Sequence, residues 1–383
     1  MLRDAGHDVA ISALWGLDGK ALEWNGLQVY PADGAWGNKW LPAIVAHHAG
    51  IGNDPRDALL LTLIDVWPLT SSLFSQLRVA SWTPVDHDPA PPRVVEFFTR
   101  TGARPIAMSR FGESRLQQAG LDPLYVPHGV DTELLQPRDQ AEAKQMLGLP
   151  KDAFVVGMVA ANKSNMPCRK AFPQVFQAFA RFHETHPDAI LYLHTAKDGG
   201  DHGINLIALA DQCGLPLEAV RWTSEFDLAM GLINYEFMAI FYSAMDVLAN
   251  PSYGEGFGIP IVEAQACGVP VIVTDYTAMP ELCGAGWLVE GDPWYDTTQG
   301  AWFKHPSVDS IIDALEHAYQ DAAGLRGRAR EFALGYDVRR VMADHWTPTL
   351  EALDRPREVP PLSLNGRGPN REVRRRMAKA KTR

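Results

Sequence analysis

The sequence predicts an α/β protein built on parallel sheets, with enough chain for two domains. Three observations carry that expectation. The chain is 383 residues long, more than one ordinary domain uses. Short apolar runs alternate along it with longer stretches at helical spacing, the pattern of layered parallel sheets. At 245–264 an apolar run leads through a glycine-rich turn into a helix, the unit that presents backbone N–H groups to an anion. Apolar residues make up 46% of the chain, so each half can bury a core.

Taken in order, the first half offers strands at 8–12, 43–46, 59–64, 77–80 and 105–108. A helix follows, with Ser109 as its N-cap, then a short strand and turn at 125–131. Residues 136–150 read as a linker containing a short helix. The second half offers strands at 154–159, 189–194, 220–222 and 245–249, and another within 266–275. Helices are expected at 172–184, 205–213, 236–245 and 259–267, with two closing helices at 307–319 and 325–334. No internal repeat is visible.

Composition excludes several classes. A net charge of −11 argues against nonspecific nucleic-acid binding by the body of the protein. No apolar run approaches the ~20 residues that span a bilayer, and the N-terminus lacks a signal-peptide core. Cys168, Cys213, Cys267 and Cys283 are scattered, which fits reduced thiols in a cytoplasmic protein, with peripheral membrane contact as the alternative. His183 and His186 have no partner at metal-ligand spacing, so no metal site is expected. The end of the chain differs. Arg371, Arg374, Arg375, Arg376, Lys379, Lys381 and Arg383 face one acid, Glu372. The region 356–383 reads as a solvated, disordered tail, or as a contact for an anionic surface.

The chemistry concentrates in Asn250-Pro-Ser-Tyr-Gly-Glu-Gly-Phe-Gly-Ile-Pro-Ile-Val-Glu-Ala264. Two carboxylates, Glu255 and Glu263, lie eight positions apart around the glycine turn. Gly254, Gly256 and Gly258 let a ligand approach the backbone closely. Phosphate donors beside acceptors for hydroxyl groups suggest a sugar phosphate or nucleotide sugar.

The string Pro251-Ser-Tyr-Gly-Glu-Gly-Phe-Gly-Ile-Pro-Ile-Val-Glu-Ala-Gln-Ala-Cys-Gly-Val-Pro-Val271 resembles the signature of the family 4 glycosyltransferases, retaining sugar transferases of the GT-B fold. The resemblance implies two Rossmann-like domains with parallel sheets facing across a cleft. It places an acceptor-side domain at 1–135 and a nucleotide-sugar domain at 151–335. A helix at 336–355 would cross back. Glu255 would face the donor sugar, with Gly256, Phe257, Gly258 and Ile259 holding its hydroxyls, and Glu263 would accept from the ribose. Lys170 matches the family's lysine, with Arg169 beside it; both would meet the diphosphate. The family's usual Gly-Arg is absent, and Asn162 and Lys163 stand near its place.

In the first half, Asp86 and His87 are the candidates for the sugar or acceptor face. Relatives begin with a strand and glycine-rich loop that this sequence lacks, so the first domain is expected to open at its second strand. The implied activity is transfer of a sugar from a nucleotide sugar to a hydroxyl, without metal or cofactor. The acceptor stays open among small glycoside, lipid, protein and modified nucleic acid. A nucleotide-sugar epimerase, a phosphorylase or a non-catalytic binding subunit would share the fold.

Overall fold

The structure is a computed structural model that describes residues 2–14, 16–163, 167–199 and 202–354. In the first half, β1 (Ala10–Ser12), β2 (Leu22–Trp24) and β3 (Leu27–Tyr30) form a small sheet in the order β1-β3-β2. A parallel sheet follows, in chain order: β4 (Leu59–Leu63), β5 (Arg78–Thr83), β6 (Arg104–Ala107) and β7 (Leu124–Tyr125). The helix Pro92–Thr101 buries Val94, Phe97 and Phe98 in a cluster with Val79 and Ala107 of that sheet. The helix Arg110–Gln118 begins where the Ser109 hydroxyl accepts the Gly112 N–H at 3.0 Å, as the sequence predicts.

The second half holds six parallel strands: β8 (Phe154–Val159), β9 (Ala189–His194), β10 (Val220–Trp222), β11 (Val247–Ala249), β12 (Val271–Thr274) and β13 (Gly286–Val289). Their order is β10-β9-β8-β11-β12-β13, so the winding reverses between β8 and β11. The four inner strands, β9, β8, β11 and β12, are covered on both faces, which is why they read as nearly unbroken apolar runs. The pleat sorts alternate residues. Val155 joins the cluster holding Leu248 and Val271, while Phe154 and Val156 join Phe176, Phe179 and Phe182 of the helix Phe172–Thr185. Each such phenylalanine contributes roughly 2–3 kcal/mol by leaving water.

The structure departs from the sequence expectations in four places. Residues 43–46 lie in a helix, Leu41–Ala49, which buries Leu41 and Val45 one turn apart. A short apolar run does not distinguish strand from helix, and the i, i+4 burial decides it. The two closing helices are one, Val308–Leu334, which runs through Gly324 and Gly327. Each glycine costs about 1 kcal/mol there, and Ala318, Ala322, Ala329 and Ala333 carry the buried stripe past them. A hairpin, β14 (Gly291–Asp296) and β15 (Ala301–Pro306), follows β13. The 336–355 stretch is broken into Val338–Val341, a π-helical turn Met342–Trp346, and Thr347–Asp354.

Trp346 packs edge-on against Trp82 of β5 at 4.9 Å, so the chain does return to the first half. Residues 1–349 form one compact unit, and residues 350–383 a second, described only through 354. The basic tail therefore lies outside the described residues. Among them, no helix is long and apolar enough to cross a membrane.

Candidate functional site

Ligands of doubly wound sheets bind beyond the carboxyl ends of the strands, where the winding reverses. Here that point lies between β8 and β11, and a cavity of about 280 Å³ opens there. The second half supplies Arg169 and Lys170 from the segment after β8, and the 255–261 turn after β11. The first half supplies Asp65 beyond β4, and Pro84 and Asp86 beyond β5.

Side chains pin the glycine turn to the sheet. Asn250 accepts the Val159 N–H at 3.2 Å and donates to the Val159 carbonyl at 2.8 Å, tying β11 to β8. Thr274 donates to the Ser252 carbonyl at 2.7 Å, and the Glu255 N–H donates to the Thr277 hydroxyl at 3.0 Å. Gly258 has φ of 108°, a left-handed conformation, and forms the N-cap of the helix Ile259–Ala266 without a capping side chain. The N–H groups of Gly256, Phe257, Gly258 and Ile259 have no hydrogen-bond acceptor among the described residues. Four consecutive open amides at a helix N-terminus make a site for phosphate or hydroxyl oxygen.

Glu255 sits between two cations. Lys170 Nζ contacts its Oε1, and Arg169 Nη1 lies 3.3 Å from its Oε2. Arg169 also donates to the Gly254 carbonyl at 2.6 Å. Burial alone would push the Glu255 carboxyl up, but Lys170 and then Arg169 outweigh it and hold it near about 2. Burial pulls the Lys170 ammonium down, with Glu255 opposing. Arg169 stays charged because Glu255 and Asp86 more than offset its burial.

Across the cavity, Asp86 Oδ2 lies 3.7 Å from Arg169 Nη1, and Asp86 Oδ1 lies 2.7 Å from His87 Nδ1. Burial raises the Asp86 carboxyl, but the His87 hydrogen bond and Arg169 bring it below the usual range. Asp65 has no hydrogen bond or ion pair among the described residues. Its carboxyl is open to the solvent of the cleft yet walled by protein. That enclosure and the nearby Asp86 push it up to about 6. Burial alone pulls His128, another lining residue, down to about 4, so it is neutral at physiological pH.

The structure thus brings together Glu255, Lys170, Arg169, Asp86, Gly256, Phe257, Gly258 and Ile259. The other candidates lie elsewhere. Asn162 is buried, donating to the carbonyls of Ala196 and Ile204 and accepting from the Ile204 N–H, so its whole amide braces the neighbouring loop. Lys163 is exposed and does not line this cavity. His87 is 3% exposed, stacked on Phe303 at 3.7 Å, and does not face the cavity. Glu263 is also outside the lining; its Oε2 accepts from the buried Tyr242 hydroxyl at 2.7 Å, and burial raises its carboxyl.

Sequence reasoning missed Asp65 and Asp296. Asp65 was legible as the first acid after the apolar run of β4, at the end of a parallel strand where ligands collect. Asp296 belonged to a hairpin that went unrecognised. Its signal was a short turn ending in Gly300 between aromatic residues, Trp294 and Tyr295 before it, Trp302 and Phe303 after.

Residues 139–334 match the family model of glycosyl transferases group 1. The match spans just over half of the chain, and the chain belongs to that family. The D-inositol 3-phosphate glycosyltransferase of Mycobacterium tuberculosis (strain ATCC 25618 / H37Rv) is 29% identical over 239 residues, covering 61% of this chain and 44% of that protein. The chain therefore spans under half the length of the curated relatives it matches.

Among solved structures, sucrose-phosphate synthase from Thermosynechococcus elongatus superposes with a TM-score of 0.69 at 19% identity, covering 92% of this chain and 91% of that one. Anabaena HepE in complex with UDP-glucose gives 0.58 at 20% identity, covering 82% of each chain. These likenesses show the fold, GT-B, with two Rossmann-like domains whose parallel sheets face across a cleft.

Proposed function

We propose that the protein moves a sugar from a nucleoside-diphosphate donor to a hydroxyl group of an acceptor, with retention of anomeric configuration. One observation carries this reading. A carboxylate held between two cations and four open backbone amides converge in a cavity walled by both halves of the molecule. The bond between the anomeric carbon and the diphosphate breaks. The acceptor oxygen bonds to that carbon on the same face, and its proton passes to the departing phosphate oxygen. Arg169 and Lys170 supply the positive charge for the leaving diphosphate without a metal ion. Glu255 orients the sugar hydroxyls, and Glu263, two residues beyond the lining Ile261 and with only its Oε2 taken by Tyr242, accepts from the ribose through Oε1.

The acceptor side carries two carboxylates, Asp65 and Asp86, and the lining cations Arg169 and Lys170 already face Glu255. Carboxylates accept from hydroxyl groups, so a polyol or sugar suits this wall. The curated relatives named for D-inositol 3-phosphate support a polyol acceptor.

The test is product analysis by NMR with a panel of nucleotide sugars and polyol acceptors. Transfer that keeps the donor's anomeric configuration is the expected result. An inverted product would contradict the mechanism. Donor epimerised without acceptor, or sugar phosphate formed from orthophosphate, would replace the reading with an epimerase or a phosphorylase.

A further inference from the structure

The β14–β15 hairpin crosses to the first half and grips the segment that carries Asp86. Asp88 and Trp302 exchange two backbone hydrogen bonds, at 3.1 and 3.0 Å, so β15 pairs with the chain beyond β5. The Tyr276 hydroxyl donates to the same Trp302 carbonyl at 2.8 Å and steadies it. Phe303 of β15 stacks on the His87 ring with 30° between the planes. Asp296, at the end of β14, places its Oδ2 3.3 Å from His87 Nε2.

Asp296 is itself fixed. Its Oδ1 accepts the N–H of Thr298 at 2.8 Å and of Gln299 at 3.4 Å, within the hairpin's own turn. The imidazole therefore has no freedom. Phe303 sets its plane, Asp296 takes one nitrogen, and the other points at Asp86 Oδ1. Asp86 in turn offers its second oxygen to Arg169 in the cavity. A path of contacts runs from the hairpin through a buried ring to a carboxylate at the site. None of the lining side chains needs to touch the hairpin for this to work. Carboxylates only accept hydrogen bonds, so each carboxylate is held through the ring nitrogen that faces it.

We propose that Asp296 is a positioning residue for transfer, acting through His87 to fix the Asp86 carboxylate against the acceptor. This rests on the transferase reading above. It also gives His87 a role different from direct contact with the sugar: the ring is an inner strut. The path meets the nucleotide side of the cavity at Arg169, which stands 3.7 Å from Asp86 but nearer, at 3.3 Å, to Glu255.

The test uses the full chain and Asp296→Asn. Asparagine keeps an oxygen for the turn amides but offers an N–H where the carboxylate stood. Two readouts are needed. The first is nitrogen NMR of the His87 ring, which requires no turnover. The Nε2 resonance of the variant is expected to move away from its wild-type position, because an amide N–H replaces the carboxylate that faces it. The second separates kcat from nucleotide affinity. The variant is expected to lose about tenfold in kcat while nucleotide affinity changes less than about twofold.

An unchanged His87 spectrum would overturn the proposal. So would a changed spectrum with wild-type kcat, or a kcat loss matched by an equal loss of nucleotide affinity. If wild type transfers no sugar from any donor, the transferase reading fails by itself, and with it the catalytic purpose given to Asp296. The ring spectrum then still decides whether Asp296 sets His87.

Discussion

Gly256 lies so close to Pro84 that a Cβ added to it would sit 2.7 Å from the Pro84 Cα. The two residues come from opposite halves of the molecule. Gly254 does the same against Phe303 and the Asp86 carbonyl, where an added Cβ would meet the Phe303 ring at 2.8 Å. The glycines of the turn thus let the two walls of the cavity touch each other, beside any room they leave for a ligand. Gly256→Ala is predicted to push the walls apart. Overpacking should lower stability by about 1–3 kcal/mol, and transfer should fall more steeply than nucleotide binding. Calorimetry with paired kinetics checks this; a variant with unchanged kcat would show that the contact is incidental.

Glu255→Gln removes the carboxylate between Lys170 and Arg169. Transfer should be lost. The folded-state pKa of Glu255 is lowered, so its stabilisation is complete above the ordinary carboxylate range and disappears as pH falls towards about 2. The variant should therefore be less stable than wild type by on the order of 2 kcal/mol at neutral pH. The difference should shrink below pH ~4.5. Nucleoside diphosphate should bind the variant at least as well, because the two cations lose an internal competitor. Urea melts across pH, with nucleotide titrations, measure both effects.

Half-buried Glu263 pairs with the buried Tyr242 inside the second half. Glu263→Ala should weaken nucleotide binding by about 1–3 kcal/mol if the carboxylate also accepts from the ribose. The loss should be absent for a nucleotide lacking the ribose hydroxyls. Equal losses for both nucleotides would make the pair purely structural.

Asp65 runs the other way in pH. Its folded-state pKa is raised to about 6, so native protein holds this proton more tightly than unfolded chain. It therefore lowers stability as pH rises through the window from the ordinary value to about 6. Asp65→Asn should stabilise the protein above that window and be neutral well below it. Because the group meets solvent in the cleft, screening should keep the gain on the order of 1 kcal/mol or less. Thermal melts at acid and neutral pH would reveal the crossover; a gain that is the same at both would contradict it.

Much of the second half was legible in the sequence because burial on both faces imprints unbroken apolar runs. The strands at 154–159 and 189–194 lie where those runs lie. The signature turn was legible through its glycines and its proline in the first helical turn. Less visible were features set by packing between halves. Asn162 stands near the place of the family's Gly-Arg and is a donor-side candidate, and only the fold shows its amide engaged by the 196–204 backbone. His87 looked like a site histidine, but Phe303 and Asp296, over two hundred positions away, turn it inward. The 43–46 run failed for a local reason, since four apolar residues fit either period.

The most direct test of the site is a thermal-shift titration of the chain with UDP, GDP, ADP and dTDP, repeated on Lys170→Ala. Near 100 times the dissociation constant, a bound nucleotide should stabilise wild type by about 2.7 kcal/mol. The account predicts a shift selective for one base in wild type and a much weaker one in the variant, provided the variant is still folded. No shift with any nucleotide, or the same shift without Lys170, would contradict a diphosphate site at Arg169 and Lys170.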